Sequence, residues 1–214
     1  MYCYIHIPFC DQKCSYCRFA SIWNLQDLQI ETYVQSLISE IQESKLIENI
    51  EPLKTLYFWG GTPGVLQPEQ LSRIISTVKN KYNFTEDIEI NLETTPFNVN
   101  PENVLAWEKL WINRVSMWVQ TLNNEALKEI QRGNKWNIIT ALDNLMPSPL
   151  TPLPNGEGNK SGIKNISIDF ILWLPYVEKG EILEDIKNIL EKYNSIPHVS
   201  VYMLEEYYEP DMII

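Results

Sequence analysis

The chain has no long apolar segment and few basic residues. No run of apolar residues approaches the roughly 18 that a membrane-spanning helix needs, so the sequence predicts a soluble protein without a membrane span. Lysine and arginine total 17, against 28 aspartate and glutamate residues, which gives a formal net charge of -11 at pH 7. A nucleic-acid partner would require a basic face, so this charge balance argues against one.

Cysteine is also scarce, because the 214 residues contain only four, all within the first 17 positions. The chain is not small and has no secretory signal peptide, so we do not expect a disulfide framework. The sequence therefore predicts that the protein is located in the reducing cytoplasm. With 44% hydrophobic and 21% charged residues, the chain can bury a sizeable core as one domain.

Three of these cysteines stand close together after a short apolar strand. Cys10, Cys14 and Cys17 have the spacing Cys-x3-Cys-x2-Cys and follow the strand at 4–9. This spacing favours convergence of three thiolates on one small iron-sulfur cluster. A cubane of four irons needs four ligands, so three cysteines leave one iron open to bind and polarise a substrate.

A zinc site is a weaker interpretation of the cysteines. A structural zinc site usually needs two pairs of ligands, whereas this chain has one triplet and Cys3 in the preceding strand. Cys3 itself is interpreted as a small, buried apolar residue.

Strands alternate with amphipathic helices along the chain, a pattern that predicts α/β units around a parallel sheet. Six such repeats make a partial, TIM-like (β/α)6 barrel, in which the carboxyl ends of the strands face the active site. We predict strands at 2–7, 55–59, 88–93, 114–121, 166–174 and 198–204, and helices at about 26–44, 68–82, 101–110, 124–131, 137–145 and 180–193.

Several polar or glycine-rich positions follow or end these strands. The second strand ends in Trp-Gly-Gly-Thr-Pro, where glycines either let a ligand approach the backbone or simply make a turn. A carboxylate at a strand tip, such as Glu93, could be solvated, and Arg132 could be surface charge. Asp169 within a strand is costly to bury unless it is paired or bound to a ligand.

The run from Tyr4 to Phe19, Tyr-Ile-His-Ile-Pro-Phe-Cys-Asp-Gln-Lys-Cys-Ser-Tyr-Cys-Arg-Phe, resembles the N-terminal motif of the radical S-adenosylmethionine (SAM) enzymes. The residues before the cysteines are similar to the branch that contains oxygen-independent coproporphyrinogen III oxidase and the heme chaperone HemW. The oxidase has a further cysteine two residues after the triplet, where this chain has Phe19, which favours the HemW-like side.

The resemblance implies a [4Fe-4S] cluster on Cys10, Cys14 and Cys17, and a SAM pocket. In the family, the Gly-Gly-Thr-Pro segment binds the amino group of SAM, and an arginine faces its carboxylate. His6 belongs to the motif without being a cluster ligand. Carried over residue by residue, the SAM contacts are Tyr4, Tyr16, Gly60, Gly61, Thr62, Glu93, Gln120, Arg132 and Asp169, although the two tyrosines could instead be ordinary core.

The implied function is reductive cleavage of SAM, heme trafficking, or both, and the catalytic residues stay unassigned. The alternative is oxidative decarboxylation of the coproporphyrinogen III oxidase type, so enzyme and binding module both stay open. Implied partners are SAM, a heme or porphyrin-type ligand and an electron donor such as flavodoxin or ferredoxin. The expected domain is one radical SAM core over 1–214, with a proline- and glycine-rich insertion at 147–162 and without the family's C-terminal domain.

Four tryptophans stand where the family usually has glycine, at Trp59, Trp111, Trp118 and Trp173. Large indoles at strand tips should block the pocket by overpacking. One hypothesis is that the source reads UGA as glycine and that the sequence was translated with UGA as tryptophan. The alternative is that the indoles are genuine and fill a degenerate site.

Overall fold

The structure is a computed structural model that describes residues 1–24, 26–45, 51–146 and 163–204. Its strands are β1 (Tyr2–Ile7), β2 (Leu53–Gly60), β3 (Phe84–Thr94), β4 (Arg114–Gln120), β5 (Asn165–Leu172) and β6 (His198–Met203). Its α-helices are α1 (Asp27–Glu43), α2 (Pro68–Lys81), α3 (Pro101–Lys109), α4 (Asn124–Glu129), α5 (Lys135–Leu145) and α6 (Glu181–Lys192). The predicted insertion at 147–162 lies outside the described residues.

All six strands pair in parallel in the order β1-β2-β3-β4-β5-β6, so each strand lies beside its neighbour in the chain. One helix, or the pair α4 and α5, connects each strand to the next. β1 and β6 form the two edges of this sheet, which is open rather than closed into a full barrel. The predicted partial (β/α)6 barrel is therefore confirmed.

The outer face of the sheet is apolar because every second residue of each strand points toward the helices. On β2 and β3, the outer residues Leu56, Phe58, Ile90 and Leu92 are fully buried. The outer positions of the other strands belong to the same hydrophobic core: Ile5, Ile7, Val115, Met117, Val119, Ile166, Ile168 and Phe170.

The helices complete this core with one apolar side each. α2 buries Leu71, Ile74, Ile75 and Val78, which recur at helical spacing. Among the described residues, none of the helices is long and apolar enough to cross a membrane.

The inner face of the sheet is polar, in contrast to the outer face. Neighbouring strands place Glu93 beside Ser116, Ser116 beside Ser167, and Asp169 beside Ser200. Because these side chains turn away from the helices, their polar atoms face the concave side of the open sheet, where a ligand could satisfy them.

One buried carboxylate ties α6 to the loop that follows β4. Asp185 Oδ2 accepts hydrogen bonds from the Leu122 backbone N–H at 2.8 Å and from the Thr121 hydroxyl at 3.0 Å. Both donors lie in buried residues, so each needs an acceptor inside the protein. Asp185 therefore fixes the helix that leads into β6.

We predict that Asp185→Leu lowers the free energy of unfolding by about 2–3 kcal/mol, because it leaves two buried donors without an acceptor. The matched variant Asp185→Asn keeps an acceptor oxygen in place and should cost about 1 kcal/mol or less. Urea denaturation of the three proteins measures both values. Equal stability of the Leu and Asn variants would contradict this assignment.

Candidate functional site

A pocket of about 680 Å³ opens on the inner face at the carboxyl ends of the strands. Its lining brings together residues that are far apart in sequence, from the cysteine loop to β6. Ten of the predicted site residues lie in it: Cys10, Cys14, Cys17, Tyr16, Gly60, Gly61, Glu93, Gln120, Arg132 and Asp169.

The cysteine loop is held in place by backbone hydrogen bonds to its own two ends. The Ile22 N–H donates to the Pro8 carbonyl at 2.8 Å, and the Cys10 N–H donates to the Ile22 carbonyl at 3.0 Å. Inside the loop, Lys13 Nζ donates to the Phe19 carbonyl at 2.9 Å. The loop is thus closed at its base, and its three cysteines lie along one side of the pocket.

The donor set of this loop fits an iron-sulfur cluster. Cys14 is buried, which raises the pKa of its thiol, whereas the neighbouring Arg132 cation opposes this rise. Among the described residues, no three His, Cys, Asp or Glu side chains stand close enough to hold a single metal ion. A cubane does not require such closeness, because each thiolate binds a different iron.

Cys3 is separate from this set. It shares the outer face of β1 with Ile5 and Ile7 and packs against the hydrophobic core there. Burial raises the pKa of its thiol. The structure thus places Cys3 against the apolar core, although it is partly buried rather than buried as predicted.

The two glycines at the end of β2, Gly60 and Gly61, allow the cysteine loop to approach this strand closely. Gly60 has a φ of 125°, and a Cβ at Gly61 would stand 2.4 Å from the Phe9 carbonyl oxygen. The Gly61 and Thr62 N–H groups donate to the Ile7 and Phe9 carbonyls at 2.6 and 2.5 Å. A protonated amino group only donates hydrogen bonds, so a ligand's amino group would use the carbonyl oxygens of this segment.

Of the two carboxylic acids in the pocket, Glu93 has the larger pKa shift. It is 3% exposed, and its carboxylate accepts hydrogen bonds from Tyr57 Oη and Trp118 Nε1, each at 2.5 Å. Desolvation raises the pKa of Glu93 to about 7, although these two hydrogen bonds act in the opposite direction. Nearby Asp169 adds to the rise through charge repulsion.

Asp169 and Arg132 bring opposite charges to the pocket. Burial raises the pKa of Asp169, while hydrogen bonds from Ser200 and Ser167 oppose the shift. Arg132 is 5% exposed, and its Nε has no hydrogen-bond partner. A buried cation with an unused donor can bind an anionic group such as a carboxylate.

Two further polar residues of the lining form a pair. Gln120 Nε2 donates to Tyr16 Oη at 2.8 Å, which joins the end of β4 to the cysteine loop. Burial raises the pKa of Tyr16 to about 12, so its hydroxyl stays neutral.

Two predicted residues lie beside the pocket rather than in its lining. Tyr4 is half-exposed on β1, where its hydroxyl and His6 Nδ1 are 2.7 Å apart. Thr62 is buried below the glycine turn. Trp173 also lies outside the lining and is 69% exposed, so only Trp59 and Trp118 of the four unusual tryptophans fill the pocket.

Sequence reasoning missed several lining residues. Tyr57 contacts Glu93 and could have been found by the two-residue period of β2, since it precedes Trp59 by two positions. Tyr202, Met203 and Leu204 line the pocket from the edge strand β6. Their hydrophobic character gave no signal that distinguishes a ligand contact from core.

Comparison with known proteins agrees with the site's composition. The model of the radical SAM superfamily matches residues 4–148, which include the cysteine loop, the glycine turn, Glu93, Gln120 and Arg132. This family implies a [4Fe-4S] cluster and SAM as its cofactors.

Curated relatives match nearly the whole chain. Heme chaperone HemW of Lactococcus lactis is 33% identical over 204 residues, which cover 94% of this chain and 48% of that protein. Heme chaperone HemW of Escherichia coli is 27% identical over 201 residues, covering 94% of this chain and 50% of that protein. The chain spans about half the length of these curated relatives.

A solved structure has the same architecture. Coproporphyrinogen III oxidase (HemN) from Escherichia coli, described as a radical SAM enzyme, superimposes with a TM-score of 0.80 at 24% sequence identity. The alignment covers 96% of this chain and 44% of that one, and at this identity it shows the fold alone. With a family match over more than half its length, a three-cysteine loop and a pocket at the strand ends, this chain belongs to the radical SAM superfamily.

Proposed function

We propose that this chain is the cluster- and SAM-binding core of a HemW-like protein, which cleaves SAM reductively, serves heme trafficking, or does both. The observation that supports this most is the shared pocket: Cys10, Cys14 and Cys17 line the same cavity as Glu93, Asp169 and Arg132. A zinc site or a closed electron-transfer cluster would not need two buried carboxyl groups and a buried cation with an unused donor beside the cysteines.

In this proposal the chain's own residues bind and orient SAM. Arg132 presents an unused donor to the carboxylate of the ligand, while the glycine turn offers backbone carbonyls to its amino group. Glu93 and Asp169 accept hydrogen bonds from other donors of the ligand. When bound, the cluster supplies the electron for the carbon-sulfur cleavage, and the protein supplies position and exclusion of water.

Phe19 supports the heme-trafficking side of the proposal. It occupies the position where the resembling oxidase has a further cysteine, and it is exposed in the lining of the pocket. A chain without that cysteine lacks one thiol of the oxidase motif. Oxidation of a porphyrinogen is therefore kept as an outcome of the test rather than as the proposal.

The test is anaerobic reconstitution with iron and sulfide, followed by two assays on the same sample. Release of 5′-deoxyadenosine after addition of dithionite reports SAM cleavage, and a titration with heme followed by its visible absorption reports heme binding. Both assays are made on the chain as written and on its variant with Trp59→Gly and Trp118→Gly, because both indoles line the pocket. The proposal expects at least one of the two signals from the glycine variant. Absence of both would contradict it, and consumption of coproporphyrinogen III would favour the oxidase instead.

For the cluster, we predict that changing Cys10, Cys14 or Cys17 to Ala abolishes the broad visible absorption of the reconstituted protein. Each of these thiolates binds a different iron, so the loss of one leaves the cluster incomplete. Cys3→Ala is the matched control and should keep the absorption, because Cys3 packs on the other face of β1. An equal loss in the Cys3 variant would show that the ligand set is wrong.

For the pocket, we predict that Glu93→Gln stabilises the ligand-free protein above pH 7. The unfolded Glu93 ionises near its ordinary pKa of 4.5, whereas the folded one keeps its proton up to about pH 7, so stability falls as the pH rises between these values. The full loss of unfolding free energy over this pH range is about 3 kcal/mol.

Urea denaturation of the wild-type and Glu93→Gln proteins from pH 5 to pH 8 measures this effect. The stability gap should be small at pH 5 and widen toward pH 8, because glutamine does not titrate. A gap that stays constant over this range would indicate that Glu93 has an ordinary pKa, and a buried acid held for a ligand would lose its support.

A further inference from the structure

The end of α3 has the backbone of a glycine-terminated helix, although tryptophan occupies the critical position. The Trp111 N–H donates to the Glu108 carbonyl and the Ile112 N–H to the Trp107 carbonyl, both at 3.0 Å. This pair of bonds is the Schellman motif, whose turning residue adopts the left-handed conformation and is usually glycine. Trp111 is that residue, with a φ of 65°.

Trp173, directly after β5, shows the same conflict. Its φ is 65° and its side chain is 69% exposed. A Cβ crowds the backbone in this conformation, so a bulky residue with positive φ is a conformational outlier. The exposed indole recovers little burial energy, and Trp111 is likewise 60% exposed. Glycine would relieve the strain at both positions.

The left-handed conformation alone does not require glycine, as the end of α4 shows. Gln131 occupies the matching position there, with a φ of 59° and the same two bonds, from Gln131 N–H to Lys128 and from Arg132 N–H to Leu127. What distinguishes the tryptophans is that two others, Trp59 and Trp118, lie in the pocket and conflict with ligand binding.

Trp59 and Trp118 occupy the ligand pocket. Trp118 Nε1 holds one oxygen of Glu93 at 2.5 Å, and its ring lies 5.3 Å from the Arg132 guanidinium. The Trp59 ring extends from β2 toward the cysteine loop, and its centroid lies 5.7 Å from that of the Phe19 ring. Both indoles therefore take up volume that a ligand would need, and Trp118 also occupies a hydrogen-bonding position on Glu93.

We infer that positions 59, 111, 118 and 173 carry glycine in the protein that the source organism makes, which opens the pocket and frees the Glu93 oxygen that Trp118 holds. A single cause accounts for all four, namely UGA codons that the organism reads as glycine and that were translated as tryptophan. The backbone part of this inference is independent of the proposed function, whereas the pocket part rests on it.

The direct test is the identity of the residue in protein isolated from its source. Peptide mass spectrometry should find glycine at the four positions, and the gene should have UGA at each of the four codons. Trp107 is the internal control, because it is fully buried in α3 and should be a true tryptophan encoded by UGG. Tryptophan in the four peptides, or UGG at the four codons, overturns the inference.

A stability test addresses the backbone part in the chain as written. Trp111→Gly and Trp173→Gly should each raise the melting temperature by about 2–4 °C. Trp111→Ala is the matched control, since it removes the indole but keeps a Cβ in the left-handed region. It should raise the melting temperature less than Trp111→Gly does. A gain from Ala equal to that from Gly, or no gain from either glycine, contradicts the strain argument.

Calorimetry with SAM addresses the pocket part. The reconstituted chain as written should bind SAM poorly, and the double variant Trp59→Gly, Trp118→Gly should bind it at least tenfold more tightly. Tight binding by the tryptophan form would overturn the pocket part. If neither form binds SAM while the source protein contains glycine, the proposed function fails and the inference about the four residues stands.

Discussion

The two-residue period of six parallel strands is the constraint on which the rest of the structure depends. Each strand gives one set of side chains to the helices and the other set to the concave face. The outer set, such as Phe58 and Leu92, is apolar and builds the core, so the core does not depend on apolar residues in the inner set. The inner set is therefore free to be polar and to line a site, as Glu93 and Asp169 do.

That freedom has a thermodynamic cost, which points to a ligand. Glu93 and Asp169 are buried near each other, and desolvation raises the pKa of both. Arg132 is buried with an unused donor. A fold selected only for stability would replace such groups with apolar residues. Their presence beside three cysteines is explained when a ligand binds the two carboxyl groups and the unused Arg132 donor.

Much of the fold was predictable because the sequence patterns are strong. β1 and the start of β4 were predicted at their observed positions, since apolar alternation and flanking turns mark them. β3 begins at Phe84 rather than at 88, because the polar residues Glu86 and Asp87 hide the extension. The positions of the cysteines, Glu93, Gln120 and Asp169 in one pocket followed from strand order.

Other features of the site depend on turn geometry, strand register and backbone conformation, which sequence patterns do not reveal. The position of Trp173 outside the pocket depends on the turn after β5, and the contact of Tyr57 with Glu93 depends on strand register. The left-handed backbone of Trp111 and Trp173 was also invisible in the sequence, since only geometry reveals a glycine conformation.

The central claim is that the three-cysteine loop leaves one iron of a cubane open to SAM. Mössbauer spectroscopy of the reconstituted protein with Trp59→Gly and Trp118→Gly, recorded before and after addition of SAM, tests it most directly. The account predicts that the signal of one iron in the cluster changes while the others stay the same. A spectrum in which no iron responds to SAM would contradict it.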